Sequence, residues 1–197
     1  MSLELIKHSI VPLSLLAVFF LCFSVKDDVL EDEYYSELVG NAPKGTVEVM
    51  YSDEEVKFKD TIDPAKAHGE PHLNWEANSD VKYTMIMTDL DPPSRENPKN
   101  REWFHWLKYN IPGDDLSGGE TLIEYMPPTP PSGTGKHRYL FLIYKQKESL
   151  QLKEPKIGRD GSKGRSKRNS KEFASNNGLD GPLAVGMFFA QAPKETN

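Results

Sequence analysis

Apolar positions in this chain recur at every second residue or in short unbroken runs, and seldom at the three-to-four spacing of a helix. Residues 46–51 (TVEVMY) alternate β-branched or aromatic side chains with others, and the shorter VKFKD at 56–60 follows them. Both patterns predict strands. Residues 71–75 predict a brief edge strand. Residues 81–88 (VKYTMIMT) predict a central one, because the run is mostly apolar and bounded by turn formers. Residues 103–110 alternate again, whereas 138–144 (RYLFLIY) is too apolar to have one wet face and predicts a strand covered on both sides. Helical spacing is confined to an acidic lead-in at 27–38 and to residues 170–176. The pattern predicts an all-β domain with two sheets and minor helices.

The N-terminus departs from that texture. Residues 10–25 (IVPLSLLAVFFLCFSV) carry no charge, and Lys7 and His8 precede them. The run is shorter than the roughly 20 apolar residues of a spanning helix and ends among small residues, Cys22 and Ser24. It predicts a secretory signal peptide over 1–24, with a single domain over 25–197. An uncleaved anchor is disfavoured, because acidic DDVLEDE follows where a Lys/Arg cluster would stand. Cys22 is the sole cysteine and would leave with the signal, so no disulfide is expected in a secreted, extracellular product.

The formal charge of −6 argues against a nucleic-acid partner held by bulk charge. One basic island opposes it, with Lys153, Lys156, Arg159, Lys163, Arg165, Lys167, Arg168 and Lys171 among Gly and Ser. A solvated loop is the plain expectation for such a run. Two sharper readings are a patch for anionic membranes or glycans, and a processing site at Arg165–Ser166–Lys167–Arg168, whose RSKR resembles the sequence that secretory convertases cut.

The candidate chemistry lies between residues 87 and 146. Asp89 and Asp91 follow a predicted strand two residues apart and should share a face, as should His137 and Tyr139. His105 stands among aromatics in EWFHWL. Pro92, Pro93 and the loop PPTPPSGTG would shape the surroundings and aim backbone N–H groups inward. Two imidazoles, a phenol and amide donors suit phosphoryl or carboxylate oxygens. The aspartates would orient and charge the histidines, or receive an ammonium, so a zwitterionic phosphoryl amine satisfies both halves. Each element alone has a plainer role, an Asp capping a turn or a His satisfied in the core; clustering favours a site. A metal site lacks H-x-x-x-H or cysteine spacing, and a hydrolase built on Ser94 lacks the G-x-S-x-G turn.

These residues carry a resemblance. TDLDPPSR, REWFHWLKYNIPG and PPSGTGKHRYLFLIYKQ resemble the signature segments of the phosphatidylethanolamine-binding protein family, which includes the Raf kinase inhibitor protein. The resemblance implies two antiparallel sheets with peripheral helices and a small pocket for phosphate-like anions or phosphorylethanolamine head groups. It assigns Asp89, Asp91, His105, Pro131, His137 and Tyr139 to the pocket, and Arg101, Trp103 and Arg138 to its support. Leu90 replaces a signature proline, Pro92 an alanine and Thr129 a glycine. The expected protein is a non-enzymatic binding protein without cofactor or metal. Its partners would be small anionic ligands or membrane phospholipid head groups, taken up more tightly as pH falls through the histidine range. Inhibition of an extracellular serine protease, or signalling through protein contacts, is the alternative, and a metal-assisted hydrolase a weaker one.

Overall fold

The computed structural model describes residues 45–193 except Asp53, together with Ser36 and Leu38. The predicted signal peptide and most of the acidic lead-in lie outside the described residues. Within described residues 45–193 the strands and the α-helix follow in order: β1 (Gly45–Thr46), β2 (Glu48–Tyr51), β3 (Glu54–Val56), β4 (Asp60–Ile62), β5 (His72–Asn74), β6 (Lys82–Asp89), β7 (Trp103–Pro112), β8 (Glu120–Ile123), β9 (His137–Lys145), α1 (Ser170–Asn176) and β10 (Asp180–Ala190). Among the described residues no helix is long and apolar enough to cross a membrane.

The strands form two sheets. The larger runs β1-β10-β9-β6-β7-β8, with β4 also pairing β10; the smaller runs β3-β2-β5. The long strands pair antiparallel, as expected, but β1 and β4 each lie parallel to β10. β6 is central and β5 is an edge strand, matching the sequence pattern. Alternation sorts their side chains: Tyr83, Met85 and Met87 of β6 and Tyr139, Phe141 and Ile143 of β9 join Val49 and Leu73 of the smaller sheet in one buried cluster. Ile86, Leu140 and Leu142 face the other way and are equally buried, which is why β9 is apolar at nearly every position.

Two expectations change. Residues 56–60 are not one strand, because β3 ends at Val56 and Lys59, at φ 66°, turns the chain into β4. Strands β8 and β10 were not predicted. β10 opens on Gly181 and Pro182, which read as a turn, and contains Gly186, where a Cβ would stand 3.1–3.2 Å from Val49 and Val47. The glycine lets β2 approach, at the cost of the sequence pattern.

The basic island is a strap along the sheet edge. Ile157 exchanges hydrogen bonds with the β8 end (Ile157 N to Leu122 O and Glu124 N to Ile157 O, both 2.9 Å). Farther on, Phe104 N donates to Arg165 O, Glu102 N to Arg168 O and Arg168 N to Glu102 O, at 2.9–3.0 Å. The solvated-loop expectation fails at Arg165, which is 0% exposed. Its guanidinium donates to the carbonyls of Gly158, Phe104, His105 and Glu124 at 2.8–3.1 Å and to that of Gly161. Burial pulls its pKa down to about 10, so it stays charged at neutral pH.

This geometry bears on processing, since a convertase requires an accessible, extended segment. The native protein is expected to resist cleavage after Arg168 and to become a substrate only when unfolded by urea. Mass analysis after convertase digestion with and without denaturant checks this; cleavage of the folded protein at the same rate would contradict it.

Candidate functional site

Three strand ends meet at one end of the inter-sheet core. Asp89 closes β6 and pairs with Tyr139 across the sheet, so both continue the inward face of their strands, and His137 opens β9 on that face two residues earlier. His105 arrives by a different route. Met87 pairs with Trp106 and Thr88 with Phe104, leaving His105 as the extra residue of a β-bulge. The bulge turns His105 and Trp106 to the same side, and the imidazole meets the Tyr139 ring edge-on at 5.2 Å. Plain alternation along EWFHWL could not show this.

Around these side chains lies a cavity of about 220 Å³, lined by Asp89, Pro92, Pro93, Asn100, Trp103, His105, Met126, Thr129, Pro131, His137 and Tyr139. Five of the six anticipated pocket residues therefore converge, and Trp103, anticipated as support, is itself part of the wall. Asn100 and Met126 were not anticipated; nothing in their local sequence sets them apart from turn and strand-end residues.

Asp91 is the exception. It was expected to share the face of Asp89, but the chain leaves β6 at Asp89, and Asp91 turns to accept from Arg138 through the backbone N (2.9 Å), Nε (2.8 Å) and Nη2 (2.6 Å). Arg101 Nη2 adds a bond of 3.2 Å. Asp91 is thus buried between two guanidiniums and does not line the cavity; what Arg101 and Arg138 hold is Asp91. The Leu90 departure fits here: its N–H donates to Arg138 O at 3.0 Å, a bond that proline could not make.

Asp89 is committed as well. Its Oδ1 accepts from Asp91 N (2.8 Å) and its Oδ2 faces His137 Nδ1 at 2.8 Å. His137 Nε2 lies 3.0 Å from Thr134 Oγ1, whose single proton goes to Pro131 O at 2.7 Å. With that proton on Pro131 O the hydroxyl is placed to accept from Nε2–H while Nδ1–H faces the carboxylate, an arrangement that favours the imidazolium. Burial works against that charge, but the Asp89 bond and charge, Asp91 behind it and the Pro93 carbonyl together raise the His137 pKa. His105 goes the other way. Burial lowers its pKa more than Asp89 and the Met126 carbonyl raise it, and Arg165 and His137 add to the lowering. Its Nδ1 donates to Met126 O at 2.8 Å as a neutral ring. Tyr139, stacked on Phe188 at 5.2 Å, is kept protonated first by burial and then by the Asp89 charge.

Glu102 was also unforeseen. Its carboxylate accepts from Ser170 N (2.9 Å) and Ser170 Oγ (2.7 Å), tying the start of α1 to the strand that carries Trp103. Burial raises its pKa despite those bonds. Among the described residues no three His, Cys, Asp or Glu side chains gather as metal ligands.

Residues 46–189 match the family model described as phosphatidylethanolamine-binding protein. The chain belongs to the phosphatidylethanolamine-binding protein family. It is 31% identical to "Putative odorant-binding protein A5" of Drosophila melanogaster, over 89% of this chain and 88% of that one. It is 34% identical to the 26 kDa secreted antigen of Toxocara canis, over 79% of this chain and 60% of the antigen. Among solved structures, carboxypeptidase Y inhibitor complexed with its cognate proteinase is similar with a TM-score of 0.72 and 26% identity, covering 86% of this chain and 96% of the inhibitor. A phosphatidylethanolamine-binding protein from Plasmodium vivax shares the fold (TM-score 0.69, 21% identity, 84% and 97% covered). The family brings two sheets, minor helices and relatives that are binding, secreted or inhibitor proteins.

Proposed function

We propose that this chain is a secreted, non-enzymatic binding protein of the family, released by cleavage of residues 1–24, that captures phosphate-like anions or phosphatidylethanolamine head groups in the cavity at the strand ends. One observation carries the reading: His137, a cavity-lining imidazole held at Nδ1 by buried Asp89 and with its pKa raised, sets its Nε2 3.0 Å from the half-buried Thr134 hydroxyl. A phosphoryl oxygen is a stronger acceptor than a hydroxyl and would take over that bond. The cavity's other groups suit the remainder of a zwitterion, with Trp103 and Tyr139 offering aromatic surface to an ammonium. Titration calorimetry with phosphorylethanolamine tests this. Saturable one-to-one binding, competed by inorganic phosphate, is expected; no heat at millimolar ligand would end the reading.

A second reading draws on the likeness to carboxypeptidase Y inhibitor, which supports inhibition of an extracellular serine protease through protein contacts. A panel of secreted serine proteases separates the two, because inhibition that survives saturation with phosphorylethanolamine would belong to a surface other than the cavity.

A further inference from the structure

We propose that a second site, the groove between β5 and the β7–β8 connection, binds an organic ammonium ion that carries an aromatic ring and an oxygen acceptor. The groove follows from the unequal sheets. The smaller sheet stops at β5, so the inward face of β7 is covered at Trp106, which is buried, and opens at Lys108, half-buried two residues along the same face. The chain then turns at Gly113, φ 60°, and a short 3-10 turn at Leu116–Gly118, capped by Asp115, closes the far side. Between them lies a space of about 570 Å³, inside the roughly 300–1,000 Å³ of small-molecule sites. None of its lining residues lines the strand-end cavity.

Two chemistries meet in its walls. Pro71, Leu73, Trp106 and Leu116 supply apolar surface, and Glu70, Asp114 and Asp115 supply carboxylates. The opposing permanent charge is Lys108, whose Nζ donates to Thr121 Oγ1 of β8 at 3.2 Å. With His72 counted neutral, three carboxylates against one ammonium leave two negative charges over. Asp115 is held ionised, because the bond from the Ser117 side chain lowers its pKa. Among the described residues neither Glu70 nor Asp114 spends its carboxylate on a hydrogen bond or an ion pair. Carboxylates gathered at an apolar groove raise the local concentration of cations and repel anions.

Trp106 supplies an independent reason. It is only 2% exposed, its ring stands edge-on to Tyr125 at 5.6 Å, and among the described residues its indole N–H has no hydrogen-bond partner. Trp75 Nε1 is unpaired and sealed in the core, whereas Trp106 Nε1 is unpaired and not sealed, so it opens on the groove that Trp106 lines. A donor at that depth is costly until an acceptor reaches it. An aromatic amino alcohol or ether amine meets every one of these groups: its ammonium the carboxylates, its ring Leu73 and Leu116, its oxygen the indole N–H.

Propranolol, a naphthyl ether with a hydroxyl and an ammonium, and naproxen, a naphthyl ether with a carboxylate, are the probes. In titration calorimetry propranolol is expected to bind one to one and naproxen roughly tenfold more weakly or not at all. The double variant Glu70→Gln, Asp114→Asn changes two exposed side chains and should weaken propranolol roughly fivefold. In NMR spectra the Trp106 Nε1–H resonance, identified by its loss in Trp106→Phe, should move with propranolol while that of Trp103 in the strand-end cavity stays. Failure of propranolol to bind, equal binding of the two probes, or a double variant of unchanged affinity overturns the proposal. So does a shift of Trp103 in place of Trp106. Phosphorylethanolamine should leave both the Trp106 resonance and propranolol affinity unchanged; displacement of propranolol by it would overturn the second site, whereas a protein that binds propranolol and ignores phosphorylethanolamine would lose only the head-group reading.

Discussion

Arg165→Met is expected to lower the unfolding free energy by about 3–5 kcal/mol, because several buried backbone carbonyls lose their charged donor at once. The guanidinium lies wholly inside and donates to carbonyls from three separate stretches: Phe104 and His105 in β7, Glu124 after β8, and Gly158 and Gly161 in the strap. Methionine fills similar volume and removes the charge, so the loss reports the carbonyls left without donors. Each such buried group costs about 1–3 kcal/mol unless water reaches it. Arg165→Lys keeps the charge but supplies three donors on a point-like head where five are arranged in a plane. An intermediate loss is expected. Urea unfolding followed by tryptophan fluorescence measures both, with an unchanged dependence on denaturant showing that the effect is on stability. A loss under about 1 kcal/mol for the methionine variant would mean that the strap is held by its backbone bonds alone.

Arg165 also shows where sequence stops being informative. In one dimension it is one of eight cations among Gly and Ser, and nothing separates it from Lys163 or Lys167. Three of its partners, the carbonyls of Phe104, His105 and Glu124, lie 41 to 61 residues away in the chain, and no side-chain pattern marks a backbone carbonyl as a partner. Strands β6 and β9 and helix α1 were legible because burial on both faces, flanking turns and helical spacing are all local. β10, one of the longest strands, was hidden because its own requirements, Gly186 beneath Val47 and Val49 and Pro182 at its start, use residues that ordinarily mark turns. At the site, residue types and strand ends were readable, but orientations were not. Two-residue spacing placed Asp89 and Asp91 together only if the strand continued; it ends at Asp89, and Arg138 and Arg101 draw Asp91 away. The bulge at His105 is the converse case, in which an extra residue brings a side chain to the cavity that alternation alone would not explain. The two imidazoles consequently differ, with the His137 pKa raised and the His105 pKa lowered, where the sequence suggested a like pair.

That difference fixes the sign of the pH response, which gives the second large effect. Affinity for phosphorylethanolamine should fall as pH rises through the elevated His137 pKa, so the loss lies above the ordinary histidine value near 6.5. The phosphoryl group completes its own ionisation near pH 6, so a fall beyond pH 7 belongs to the protein. His137→Gln retains an amide toward Asp89 without a positive charge. It should weaken binding roughly tenfold to a hundredfold, the equivalent of about 1.5–3 kcal/mol for a bond to a charged group, and should flatten the profile. Asp89→Asn leaves the imidazole but removes the charge that holds its proton, so binding should weaken at neutral pH and recover on acidification. The folding equilibrium must follow the same signs. His137, with its folded pKa raised, contributes stability that is complete below 6.5 and is lost as pH rises through the folded value. His105, with its folded pKa lowered, contributes nothing above 6.5 and destabilises as pH falls below it, because the unfolded chain then binds the extra proton. The two contributions peak together near pH 6.5, whereas binding keeps its strength above that value until His137 deprotonates. Stability and affinity measured over the same pH series should therefore diverge between 6.5 and the His137 midpoint, and curves that fall together would show that ligand loss is only unfolding.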